Sequence, residues 1–289
     1  MPLSCRPTID ALATALIFSH ALESFLVDVP PSIPVKQGSR SQGVAPSFFY
    51  FNPDLLGVVF LNICGRMGIL LFMPETISTY HLDDRIHSHP MDRDHFYDEQ
   101  MTEFKNNGKP TRAVGIFDVL LFTEKGEVIL QKRSHNKRHN PYLIDKTVGG
   151  HIQYGDTVFY TAMIECVQEL KIPAVVLRED EDFKRTLEAL SRSLESVGVL
   201  EMVDNNIYEI DNFFDGQRIT IAKNIWMFIG IYSGAIKPVD SEASGVLYYE
   251  LDVLKDEMRK MPQLFTPDLH FMINKYEGNI KRILAHIGK

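Results

Sequence analysis

Gly150-His151-Ile152-Gln153-Tyr154-Gly155-Asp156, running on to Ile164-Glu165-Cys166-Val167-Gln168-Glu169-Leu170, is the stretch that decides how this chain is read. Gly149, Gly150 and Gly155 read as a glycine-rich loop that leaves backbone amides and carbonyls open to a close-lying ion, because no Cβ stands in the way. The segment after Asp156 has helical spacing. Glu165 and Glu169 are four residues apart, so one turn brings both carboxylates onto one face. Paired carboxylates beside bare backbone are how a protein holds Mg²⁺ against a phosphate. Taken alone, the same helix face reads more readily as a solvated acidic surface; the glycines and the basic cluster beside it turn the reading towards a site.

Working outward, Asp156 is placed to cap the helix, and Phe159, Met163, Cys166 and Leu170 form the stripe expected to be buried. Pro173 is expected to stop it. Upstream, Lys132, Arg133, Lys137 and Arg138 form a basic cluster suited to a diphosphate, since guanidinium forks and ammonium groups are the usual phosphate holders. Residues 113–122 and 128–131 read as strands around the turn Thr123–Gly126. Residues 180–197 read as an amphipathic helix. Strands follow at about 199–210 and 218–232, turning at Asp215-Gly216, and a last helix covers about 266–286. The order implies an α/β (α+β) fold, a mixed sheet sandwiched between helices.

The chain divides near Met91 into an N-terminal extension, residues 1–90, and a domain over 91–289. In the extension, residues 8–27 could form a helix, Pro30 to Pro46 reads as a linker, and 57–73 as a hairpin turning at Cys64–Gly68. Met91 itself could be the working start. Leu55 to Met73 is the most membrane-like run, but Asn62 and Arg66 interrupt it, and an arginine there costs a few kcal/mol. His81, His87, His89 and His95 are interleaved with Asp and Arg and read as a solvated connector. No chemistry is assigned to this third; its apolar content could support a homodimer interface.

Composition narrows the function. The 289 residues carry a net charge of -8, which argues against a nucleic-acid binder. Cys5, Cys64 and Cys166 are odd in number and widely spaced, as expected of reduced thiols in a cytoplasmic protein with no signal peptide.

Gly150, five residues, Asp156, seven residues and Ile-Glu-Cys-Val-Gln-Glu-Leu-Lys-Ile resemble the Nudix box, G-x5-E-x7-R-E-U-x-E-E-x-G-U, with U aliphatic. Around it, LQKRSHNKRHNPYLIDKTVGGHIQYGD (130–156), IWMFIGIYSGAIKPVDSEASGVLYYELDVL (225–254) and FTPDL (265–269) look like the Nudix branch related to isopentenyl diphosphate isomerase. The resemblance covers about 100–289, with an insertion near 175–215. It implies a Nudix-like mixed sheet and a hydrolase that cleaves a diphosphate linkage in a small organic or nucleoside diphosphate. Mg²⁺ or Mn²⁺ would be held by Glu165, Glu169 and the Gly149 backbone. Glu165 and Glu169 would be catalytic, and Arg133, Lys137, Gly150 and His151 would contact substrate. The box also departs from its pattern. Its leading glutamate is Asp156, its arginine Ile164, its middle metal glutamate Gln168 and its glycine Lys171. Glu209, Asp211 and Glu242 are candidates to make up the missing charge. The isomerase's loop cysteine falls at Gly149, its two metal histidines at Asn107 and Val114, and its later acid near Lys223 or Asn224. Allylic proton transfer is therefore not expected. The competing expectation is a Nudix fold that binds a diphosphate without turnover.

Overall fold

A ten-residue apolar strand broken by one charge, Ala113–Phe122, organises the molecule. The computed structural model describes residues 75–288 apart from 136, 138, 215–216 and 239–242, with the strand backbones of 57–63 and 66–72. In chain order the elements are β1 (Gly57–Ile63), β2 (Arg66–Phe72), β3 (Thr76–His81), β4 (Asp84–Asp92), α1 (Arg93–Asn107), β5 (Ala113–Phe122) and β6 (Glu127–Arg133). Next come β7 (Ile144–Asp145), β8 (Val148–His151), α2 (Val158–Leu170), β9 (Ala174–Leu177), α3 (Asp180–Ala189), β10 (Gly198–Phe214) and β11 (Gln217–Ile231). The chain closes with β12 (Ala243–Glu250), α4 (Leu251–Lys260), α5 (Pro267–Lys275) and α6 (Glu277–Ala285).

The main sheet runs β12-β6-β5-β11-β10-β9 and is mixed, with β5–β11 and β9–β10 parallel and the other pairs on this path antiparallel. One edge of β5 pairs with β11 along its whole length. Its other edge is shared by β3 at Ala113 and Val114, β8 at Ile116–Val119 and β6 at Leu121 and Phe122. That sharing lodges the Gly149-Gly150 strand at mid-sheet.

Side chains alternate across the sheet as a period of two requires. Phe117, Val119, Leu121 and Phe228 pack under α2 through Ala162, Cys166 and Leu170. Leu120, Phe122, Met227 and Ile229 face the other way, against Phe183 of α3, Leu254 of α4, Leu269 and Met272 of α5 and Ile283 of α6. The expected sheet between helices is present.

Several boundaries differ from expectation. The N-cap of α2 is Thr157, whose hydroxyl accepts from the Tyr160 amide at 3.3 Å; Asp156 is exposed. Met163 is exposed, and the buried face of α2 takes in Ala162 and Glu169. The helix ends at Leu170, with Lys171 at φ 56° closing it ahead of Pro173. The helix expected over 180–197 stops at Ala189, since Ser191–Ser196 folds as successive turns. The last helix is two, α5 and α6, joined at Tyr276.

β1 and β2 pair antiparallel as expected, but Arg66, Met67 and Gly68 of the expected turn belong to β2, paired with Ile63, Asn62 and Leu61. The four histidines are exposed as expected, but they lie on the paired strands β3 and β4 and on α1. Met91 falls inside β4, so the main sheet reaches back to Thr76. Residues 175–215 hold most of β9, α3 and β10, and β10 is a full member of the sheet. No described helix is long and apolar enough to cross a membrane. Residues 8–27, Pro30 to Pro46, Cys5, Cys64, Gly65, Arg138, Asp215, Gly216 and Glu242 lie outside the described residues.

Candidate active site

The glycine segment is strand, not loop. Val148–His151 pairs with β5, setting Gly149 opposite Asp118 and Gly150 opposite Phe117. The reason for glycine is local crowding. A Cβ on Gly149 would run into the Lys146 side chain and come within 2.8 Å of Asp118 Oδ1; one on Gly150 would press on Phe117 at 3.2 Å. The bare backbone makes room for a lysine.

Beside this strand opens a polar cleft of about 360 Å³. Glu165, Glu169, Arg133, Lys137, Gly149, Gly150 and His151 all line it, so the candidate residues named from sequence share one cavity. Glu169 is 7% exposed, and its Oε2 accepts from Gln131 Nε2 at 2.9 Å; Glu165, one turn earlier, is half-buried. Gln168 is exposed and does not line the cleft, so the middle box position adds no ligand from where it stands. Glu209 and Asp211 do not reach this cleft either. They line a separate cavity, where Asp211 pairs with Arg218.

Arg133 reaches the cleft already engaged, donating to Asp145 Oδ2 at 2.9 Å and to the His139 carbonyl. Burial works against the Asp145 carboxylate. The charges of Lys146 and Arg133 outweigh it and hold the group down at about 2. His151 Nε2 lies 2.8 Å from the Tyr97 hydroxyl, and burial, reinforced by Arg93 and Lys223, pushes its pKa well below the ordinary value. A neutral imidazole clamped to Tyr97 braces β8 and brings no positive charge.

Lys146, Lys223 and Asp268 also line the cleft, with Asp118 buried behind Lys146, and the sequence reading does not assign these four to the site. Lys146 Nζ pairs with Asp118 Oδ1 at 2.7 Å, and Lys223 Nζ with Asp268 Oδ1 at 2.6 Å. Burial opposes the charge on Lys146, but Asp118 and Asp145 raise its pKa overall. Burial likewise opposes ionisation of Asp268, and Lys223 and Lys146 prevail, lowering it. Burial raises the Asp118 pKa on balance, opposed by Lys146 at 2.7 Å. Thr266 joins the set, capping α5 and donating to Asp145 Oδ1 at 2.7 Å. A signal is present in the sequence. Asp118 is the one charge in β5 and Lys223 stands among apolar residues in the middle of β11, and a buried charge requires a partner.

Among the described residues no group of three or more His, Cys, Asp or Glu is gathered closely enough to hold a metal. Of the carboxylates lining the cleft, Glu75, Asp145 and Asp268 are paired with Arg93, Arg133 and Lys223, and the other two, Glu165 and Glu169, fit a hard cation that keeps waters and shares a substrate's phosphates. They do not fit a cation caged by protein alone. Cys166 is fully buried, and burial raises its thiol pKa, as a core cysteine requires.

No curated protein matches the chain. Among solved structures it is similar to the DR0079 protein of Deinococcus radiodurans, at 15% identity and a TM-score of 0.44, covering 70% of this chain and 98% of that one. It is also similar to a MutT protein of Methanosarcina mazei Go1, at 17% identity and a TM-score of 0.33, covering 50% of this chain and 81% of that one. A third is a bifunctional NMN adenylyltransferase/ADP ribose pyrophosphatase of Francisella tularensis, at 11% identity and a TM-score of 0.37, covering 65% and 46%. The family model for the NUDIX domain matches residues 110–204, from the start of β5 through α2 and into β10.

Proposed function

We propose that this protein is a cytoplasmic hydrolase of Nudix type that cleaves a diphosphate linkage in a small organic or nucleoside diphosphate. Mg²⁺ or Mn²⁺ would enter together with the substrate. The observation that carries this reading is the meeting of Glu165 and Glu169 with Arg133, Lys137, Gly149 and Gly150 around one polar cleft. A divalent ion bound there neutralises phosphate charge and makes a water more acidic. Glu169, pinned by Gln131, is the fixed ligand. Glu165, the less buried of the two, orients and deprotonates the attacking water. Arg133, held in place by Asp145, and Lys137 stabilise charge on the departing phosphate.

A screen of diphosphate compounds for phosphate release with Mn²⁺ tests this. The expected result is release from at least one compound, abolished by EDTA. Glu169→Gln should lower it by about 10²–10⁴-fold, the range of a positioned proton-transfer or ligand group. Gln168→Ala, at an exposed position outside the cleft, should change it less than about threefold. No release from any diphosphate would sink the proposal.

One observation favours a second reading, a diphosphate-binding module without turnover. Lys146 and Lys223 already place two ammonium groups in the cleft, each beside its own carboxylate. Pyrophosphate binding that persists in EDTA, with no hydrolysis, would select it.

A further inference from the structure

α2 carries an apolar stripe on the side turned away from the sheet. At about 100° per residue, Tyr160, Met163, Ile164 and Val167 fall within an arc of roughly 100°, the i, i+3, i+4, i+7 spacing of a helix face that packs against something. Tyr160 is 52% exposed, Met163 40% and Val167 46%, and Ile164 is half-buried. A helix that faces water turns charge outward, as α3 does with Glu181, Asp182, Lys184, Arg185 and Glu188. Tyr154, 48% exposed in the turn leading into α2, enlarges the patch to the order of 400 Å². Apolar patches of that size mark interaction sites. A stable dimer, however, buries about 800 Å² on each partner. The patch is therefore too small to hold a free partner firmly and suits a tethered one, since a short tether supplies a local concentration in the millimolar range.

The chain itself supplies such a partner. The sequences of β1 and β2, GVVFLNI and RMGILLF, are apolar at consecutive positions rather than alternate ones. Among the described residues these two strands pair only with each other. A two-stranded ribbon is marginal in water unless it packs on another element. Three residues, 73–75, lead from the end of β2 to the start of β3. The Thr76 carbonyl then accepts from the Tyr154 amide at 3.0 Å, so the chain joins the sheet beside one end of the patch. An extended link of that length reaches roughly 13 Å. Tyr160 to Val167 spans about 10 Å along the helix axis.

We propose that the β1–β2 hairpin docks on the outer face of α2 and covers Tyr160, Met163 and Val167. Docking clamps α2 between the hairpin and the sheet. Glu169, about 200° round the helix from Val167, stays on the cleft side. The N-terminal extension thus acts as a tethered cover that holds the glutamate-bearing helix in place, and the face is closed within one chain rather than by a second copy.

Thiol labelling of the full chain tests this, with Cys5 and Cys64 replaced by serine and the buried Cys166 left in place. Val167→Cys is compared with Arg185→Cys, an exposed position on α3, and each maleimide rate is taken relative to the same thiol in urea. Neither substitution removes a buried side chain, so both proteins should fold. Val167→Cys should react at least about tenfold more slowly than Arg185→Cys. Leu70→Asp with Leu71→Asp places a charge on whichever face of β2 meets the helix, and should bring the two rates within about twofold. As a second measurement, Met163→Asp with Val167→Asp should speed hydrogen exchange of the β1 and β2 amides at least about tenfold while leaving β5 unchanged. Equal rates at the two thiols would overturn the proposal, as would slow Val167→Cys labelling that survives the Leu70 and Leu71 changes. Protection lost on dilution, with a halving of mass by light scattering, would also overturn it and assign the face to a second copy.

Discussion

Lys146 keeps its charge out of water because Asp118 and Asp145 stand beside it. Removing one member of a buried pair strands the other, which typically costs about 3–5 kcal/mol. Asp118→Asn and Lys146→Met should each lower unfolding free energy by that order in urea titrations, and the double variant should recover part of the loss. Acid sensitivity follows from two neighbours. His151 titrates well below the ordinary 6.5 in the fold, so the unfolded chain takes up a proton first and stability declines as pH falls through 6.5. Asp145 is depressed from 3.8 to about 2, so its contribution is complete above 3.8 and disappears as pH falls towards 2. Urea midpoints measured from pH 8 to pH 5 should therefore drop, and His151→Gln should flatten that slope. At the helix end, Lys171 holds φ 56° where a glycine would be unstrained. Lys171→Gly should raise stability by about 0.5–1 kcal/mol, and a fall in the urea midpoint would contradict the strain argument.

Elements are legible in the sequence where periodicity is strong, and blurred where a turn or a pairing partner decides the outcome. The strands β5, β10 and β11 and the helix α2 can be read from apolar spacing. The strand character of Gly149-Gly150 cannot, because glycine spacing alone suggests a loop; it takes the β5 edge opposite Asp118 and Phe117 to make it β8. Likewise β3 and β4 are polar and histidine-rich, and they become strands by pairing with each other and with β5. A chain beginning at Met91 would lose β3 entirely, including the fully buried Ile77, Thr79 against Val114 and the backbone bonds they make. Burying an isoleucine side chain is worth about 1.5–3 kcal/mol by itself. Such a truncated chain should melt well below the full one or fail to fold, and an unchanged melting temperature would show that β3 is dispensable.

Across the whole molecule, the candidate site is a place where opposite charges are balanced rather than accumulated. The two box glutamates and two basic residues are visible in the sequence because they are local to one segment. Lys223 and Asp268 are not, since β11 and α5 place them 45 residues apart and they meet only in the folded molecule. FTPDL stands out in the sequence as a motif, and the fold explains it, because Thr266 binds Asp145 and Asp268 binds Lys223. The excess negative charge of the chain, -8, lies outside this balance and is compatible with an anionic substrate only because the cleft carries its own cations. The central claim is that Glu165 and Glu169 act together in that cleft. The most direct test is the Mn²⁺-dependent rate of phosphate release from the best diphosphate substrate, compared among the wild-type chain, Glu165→Gln and Glu169→Gln. Both variants should fall by at least about a hundredfold while unfolding at an unchanged urea midpoint. Retention of wild-type rates by either variant would contradict the claim.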